Sequence, residues 1–471
     1  MPLRLSQATL SLRASAIAAP AYDRAALAPG IVHFGPGAFQ RAHLASFVDT
    51  LLATDPRWGI AAIALRSAGQ ARLLAEQDFL YVLAELDDPM RYRVLGALTA
   101  YTAAPADPAR AFAHLEHPAA RLITVTVTEK GYCLGADGRL DPAHPDIAHD
   151  LAHPAAPQSL AGWIVEGLAR RRDLNLPPPI VMSCDNLASN GSKLRAATLD
   201  LARGQGRGDL VDWIASEIRF PATMVDSITP ASDDALRDRV AAATGLIDLA
   251  PVQRESFAQW VIADDLGPEA PDLAAAGAQL TSDVHAYEQA KLRLLNGAHS
   301  ALAYIGLARG HATVGAAMAD AALAGFIARL MREGRRADLA PGKGPRHPGL
   351  YRHAAAPPAQ PRGDAPPRPD RRRRLAQTAL SPAGAHRGPA RARPPHRAPR
   401  CRRRRLDAFR GRCGAPRREA RRSDGRQAAA VCRRLHRHGG ARRAAVPQVD
   451  GNISARPRRR AALSRRARGR L

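Results

Sequence analysis

Cysteine is scarce: five in 471 residues, none in a CxxC pair, which leaves no disulfide scaffold and no zinc-ligand framework. No apolar run approaches the roughly 18 residues a membrane span needs, and no basic segment followed by an apolar core opens the chain. The chain is therefore expected to be cytoplasmic, reduced and free of membrane contact. Acidic residues are nearly missing from the last 138 positions. From Gly334 to Leu471 there are 40 Lys and Arg against 7 Asp and Glu, a surplus of 33, whereas residues 1–333 carry 29 against 36 and sum to −7. The net charge of +26 thus belongs to the tail and says nothing of the body. Aromatic bulk is absent there too, since only Tyr351 and Phe409 fall within it. A segment of Arg, Pro, Ala, Gly and His cannot bury enough apolar surface to offset its ordering entropy, so 334–471 is expected to be disordered.

The body has the opposite character. Short apolar runs at 31–34, 59–65, 121–127 and 179–183 predict strands, and helical apolar spacing at 44–52, 160–172 and 193–202 predicts helices between them. Strands alternating with helices predict an α/β fold with a parallel sheet, and ligands gather beyond the carboxyl ends of such strands. Three polar motifs sit at those ends: GPGAFQRAH (35–43), TEKGYC (128–133) and CDN (184–186). From about Thr281 the pattern turns purely helical, through 286–295, 300–307 and 314–331. The expected organisation is a Rossmann-type domain over 1–280, the start of an all-helical substrate domain over 281–333, and the basic tail.

Gly35-x-Gly37 after a strand fits a dinucleotide turn, where absent side chains let the backbone approach a pyrophosphate and Ala38 and Phe39 open the next helix. Gln40 stands where a third glycine would complete GxGxxG, so the pair alone is equally at home in a plain turn. A second cluster is stronger. On a regular helix of ~100° per residue, Lys291, Glu288, His299 and Asn296 fall near 0°, 60°, 80° and 140°, one polar arc flanked by Leu292, Leu294 and Leu295. Oxidising a secondary alcohol needs a base for the hydroxyl proton and neutral donors for the developing alkoxide. Lys291, desolvated, suits the first role, and the carboxamides of Asn186 and Asn296 suit the second. Asp185, Asp226 and Glu288 are candidate orienting acids, equally compatible with helix caps or surface charge.

HFGPGAFQRAH, VTVTEKGYC, MSCDN, FPATMVDSITP, ESFAQWVI and KLRLLNGAHS, spread from Ile31 to Gly310, together resemble the long-chain polyol-specific dehydrogenases, the group that contains mannitol 2-dehydrogenase and D-mannonate oxidoreductase. The resemblance implies metal-independent hydride transfer with NAD on a polyol or sugar acid by a monomer or dimer. It implies Lys291 as base, Asn186 and Asn296 as alkoxide-binding amides, His299 as a substrate contact, and Asp226 and Glu288 as supporting acids. TEKGYC and RLLNGAHS lean toward the branch that interconverts D-mannonate and D-fructuronate, with mannitol and fructose as the alternative. Two departures stand out. Ser227 replaces the arginine usual after the Val-Asp pair. Leu65-Arg66-Ser67 brings no carboxylate to the ribose, so Arg66 is a candidate cofactor contact and NADP stays open beside NAD.

No family motif follows Glu333. The Ala-rich body points to GC-rich codons, and reading such codons out of frame yields mainly Arg, Pro, Ala, Gly and His, the composition of the tail. The expectation is a frame shift near residues 332–337. The alternative, an arginine-rich RNA-binding arm, has charge for phosphates but no stacking platforms and no folded reader, so specific nucleic-acid binding is not expected.

Overall fold

The computed structural model describes residues 3–338; the expectations for the basic tail lie outside the described residues. Five strands form the central sheet, in the spatial order Leu98–Ala103, Ile60–Ala64, Ile31–Phe34, Leu122–Val125, Ile180–Ser183, every neighbouring pair parallel. Counted along the chain this order is 3-2-1-4-5, that of a Rossmann sheet, reversing between Ile31–Phe34 and Leu122–Val125. IVHF, IAAIA and LITV are buried at every position, because helices cover both faces of a parallel sheet. Alternate residues feed two cores. Ile31, Ile60, Leu122 and Met182 pack with the Leu44–Leu51 helix on one side. Val32, Phe34, Ile123 and Val125 pack with the Leu160–Asp173 and Asn190–Gly204 helices on the other.

The predicted parallel sheet is therefore present, but it is not the whole of the β structure. Tyr81–Glu85 pairs antiparallel with Arg91–Leu95 and parallel with Val252–Arg254. Thr223–Asp226 pairs antiparallel with Gln259–Ala263, which also carries Gln279–Thr281 in parallel. These additions frame the second half of the site.

Helices follow Thr281, as Val284–Ala290, Lys291–Asn296, Gly297–Ala308, Val314–Ala319 and Ala321–Asp338. Lys291–Asn296 is a π-helical turn, not the regular α-helix assumed for the polar arc. The expected single helix over 314–331 is broken at Asp320, whose extended backbone ends one helix while its carboxylate accepts the Ala322 and Leu323 N–H groups of the next. Leu302, Leu323, Ile327 and Met331 make a small separate core for this region. Among the described residues no helix is long and apolar enough to cross a membrane.

Candidate active site

The glycine turn occupies the switch point. Gly35 has φ +82°, and a Cβ there would lie 2.2 Å from the Thr126 carbonyl oxygen, so two backbones meet where only glycine fits. Gly37 faces open space, with nothing nearer than 3.9 Å to an added Cβ. It caps the short Ala38–Ala42 helix without a side-chain acceptor, leaving first-turn amides for an anionic ligand. Side chains that the sequence reading passed over brace the turn. The Thr126 hydroxyl donates to the Gly35 carbonyl (2.9 Å) and the Tyr101 hydroxyl to the Pro36 carbonyl (2.9 Å). His33 lies fully buried behind them, bonded to the hydroxyls of Thr124 (2.8 Å) and Thr126 (2.9 Å). Burial holds its pKa down to about 3, so it stays neutral.

A cavity of ≈ 510 Å³ opens over this turn, walled by Gly35–Gly37 backbone, the Ala64–Ser67 strand end, Tyr101, Thr126–Thr128, His144 and Asp146. Arg66 lies on its wall, with Nη2 2.5 Å from Asp146. Cys133 brings its ligand atom within 4.8 Å of those of His144 and Asp146. Their bonding does not favour a metal: His144 Nδ1 accepts the Asp146 N–H, Asp146 is paired with Arg66, and burial pushes the Cys133 thiol up to about 11.

The second half of the site is built around Lys291, only 9% exposed on the π turn. Its Nζ donates to Asn186 Oδ1 (2.8 Å) and to the Val225 carbonyl, and lies 3.1 Å from Asp226. Burial pushes its pKa below the ordinary lysine value, while Asp226 pulls the other way. Because Oδ1 of Asn186 is taken by the ammonium, the amide's Nδ2 donors are left to face a ligand. Asn296 and His299 follow on the same helical run and are exposed, neither bonded to Lys291. Although its side chain reaches solvent, partial desolvation by surrounding atoms lowers the His299 pKa, and the nearby Asp226 opposes this.

The Glu288 carboxylate accepts the Ser189 N–H (3.1 Å), tying the helical region to the loop that carries Asn186. Ser227 donates to the Phe257 carbonyl (3.0 Å), a neutral bond where an arginine was expected. Two further supports lie beside Asn186: Asn190, which the sequence did not single out, and Asp185, one of the candidate orienting acids. Asn190 is fully buried and binds the Ser183, Asp185 and Thr223 carbonyls, locking the loop after Ile180–Ser183. Asp185 accepts from Tyr132 Oη (2.7 Å) and the Val127 N–H (3.0 Å), and burial pushes its pKa up to about 7. Both residues lie in or beside the CDN motif, whose position after a strand was the only available signal.

A switch-point cleft with a bare glycine turn, and a buried lysine bonded to a carboxamide after another strand of the same sheet, define a Rossmann-fold protein of the dinucleotide-binding class. The particular branch follows from comparison with known proteins. Residues 29–274 match the family model "Mannitol dehydrogenase Rossmann domain" and residues 283–348 match "Mannitol dehydrogenase C-terminal domain". The chain belongs to the mannitol dehydrogenase family. The second match runs past Glu333, where the sequence motifs stopped, to residue 348. Mannitol 2-dehydrogenase of Cereibacter sphaeroides is 42% identical over 313 residues, 65% of this chain and 65% of that protein. D-mannonate oxidoreductase of Escherichia coli is 39% identical over 306 residues, 63% of each. The structure of Pseudomonas fluorescens mannitol 2-dehydrogenase in ternary complex with NAD and D-mannitol aligns at a TM-score of 0.69 and 35% identity, covering 75% of this chain and 73% of that one. The chain thus spans a little under two thirds of the length of these two curated relatives.

Proposed function

We propose that this protein is built for NAD-dependent interconversion of a polyol or sugar acid with its 2-keto sugar, D-mannonate and D-fructuronate being the leading pair and mannitol and fructose the second. The observation that carries the reading is Lys291: a buried amine, 2.8 Å from Asn186, at the mouth of a Rossmann sheet. Gly35, Gly37, Ala38 and Phe39 supply a backbone surface that fits a pyrophosphate, and Arg66 lies toward the adenosine side. Bound there, the nicotinamide supplies the hydride acceptor.

The remaining chemistry belongs to the chain. Burial pushes the Lys291 pKa below the ordinary lysine value and so favours its taking the substrate hydroxyl proton, and Asp226 and the Val225 carbonyl fix the amine and stabilise the resulting charge. The Asn186 and Asn296 amides donate to the oxygen as charge develops on it, and His299 contacts a neighbouring hydroxyl. Glu288 acts by holding the Asn186 loop in place. The family match gives the RNA-binding alternative no support.

The test is titration of the full chain with NADH, followed by NADH oxidation with fructuronate and with fructose. Binding of NADH together with reduction of either ketose supports the reading. A chain that binds no NADH overturns it.

A further inference from the structure

We propose that the adenosine end of the cleft takes a dinucleotide bearing a 2′-phosphate at least as well as one without it, with the Arg66 guanidinium and the Ser67 hydroxyl as the phosphate's ligands. The proposal rests on the dinucleotide reading above and concerns only which dinucleotide the same cleft selects. A sheet that binds an unphosphorylated ribose ordinarily offers a carboxylate just past its second strand, to accept the 2′-hydroxyl; a nearby arginine suits a 2′-phosphate instead. Here the Ile60–Ala64 strand runs into Leu65-Arg66-Ser67, and all four of Ala64 to Ser67 line the cavity.

Three features make this strand end a phosphate site and not merely one that lacks an acid. The Arg66 side chain is 73% exposed, and only its Nη2 is engaged, on Asp146. Its other N–H groups have no protein partner among the described residues, leaving a fork suited to two phosphate oxygens. The Ser67 hydroxyl accepts the Gly69 N–H (3.3 Å), so its own hydrogen is free to donate outward. The charged lining is Arg66 and Lys130 against Asp146 alone, beside His144, which favours added negative charge on the ligand. Asp146 is the one carboxylate that could instead serve a ribose diol. Its pairing with Arg66 both occupies it and aims the guanidinium, and its own side chain is nearly covered.

Equilibrium titration of the full-length chain with NADH and with NADPH, each followed by its own fluorescence, decides the matter without reliance on turnover. The expected result is an NADPH Kd equal to or below that for NADH. Arg66→Ala should then weaken NADPH by roughly 10- to 100-fold, the worth of hydrogen bonds to a charged group, and NADH by less than about threefold. Ser67→Asp, which restores a carboxylate at the strand end, should reverse the preference. NADH binding more than tenfold tighter than NADPH in the unaltered chain would overturn the proposal and leave the enzymatic reading intact, as would an Arg66→Ala variant weakened equally for both. Failure of both dinucleotides to bind would remove the dinucleotide reading and this proposal with it.

Discussion

At the scale of single residues, the position of Lys291 makes two demands that can be separated. In its proposed role the buried amine exchanges a proton, whereas the cleft over Gly35 and Gly37 is lined without it. Lys291→Met should therefore lower turnover by about 10²–10⁴-fold with NADH affinity unchanged, read by steady-state rates beside a binding titration. Because burial lowers the Lys291 pKa, alcohol oxidation should rise with pH as the amine deprotonates and then level off, at a lower pH than a free lysine would give. Gly35→Ala has the opposite signature: a Cβ 2.2 Å from a backbone oxygen at positive φ costs about 1–3 kcal/mol of strain and should abolish NADH binding. Asp185 sets a stability slope. Its pKa is raised from 3.8 to about 7 in the folded protein, so between those values the native state holds more protons than the unfolded one. Stability therefore falls as pH rises from about 4 to 7 and is level above. Asp185→Asn should flatten that part of the curve in denaturant titrations at pH 5 and pH 8.

At the scale of elements, the helical region depends on its joints. Asp320 accepts the Ala322 and Leu323 N–H groups, pairs with Arg309 (2.8 Å) and contacts His311 (3.2 Å), which together hold its carboxyl down to about 2. Asp320→Ala should loosen the Gly297–Ala308 and Ala321–Asp338 pair, seen as faster amide exchange there with the sheet unaffected. That joint also shows what sequence could and could not reveal. Ile31–Phe34 was legible to the residue, because a short mostly apolar run ending in glycine marks a buried parallel strand. Asp320 lay inside apolar helical spacing that continued on both sides, so the break was hidden until the cap was visible. Tyr81–Glu85 and Arg91–Leu95 were not legible, since RYRVL alternates weakly and the other partner of Tyr81–Glu85, Val252–Arg254, is distant in sequence. The π turn was likewise closed to periodicity, which presumes 3.6 residues per turn. Lys291 and Asn186 were found by residue type; their meeting needed the fold.

At the scale of the whole molecule, the helical segment presents a broad apolar face. Leu292 and Tyr304 are each 63% exposed, and Phe326 and Leu330 are also exposed. The family match in this region ends at residue 348, and the chain spans a little under two thirds of the length of its curated relatives. Turnover of this chain should accordingly be weak, on the order of 10²-fold or more below a family member with a closed pocket, because a loosely held substrate forfeits orientation. NADH affinity should be retained. Rates on fructuronate and fructose beside the titration test this, and normal turnover would refute it. The nucleotide sequence around codons 325–350 tests the origin of the basic tail: a shifted frame should restore apolar helical periodicity, and its absence from every frame would end the idea.

The grip of Glu288 on the Ser189 amide carries one more consequence. Lys291 and Asn186, the proposed base and carboxamide, come from two different regions of the chain, and this contact is a second strut between them beside their own bond. Rocking of the helices against the sheet would carry the Asn186 loop with it, so the geometry for proton transfer survives such movement even while the sugar's entrance widens or narrows.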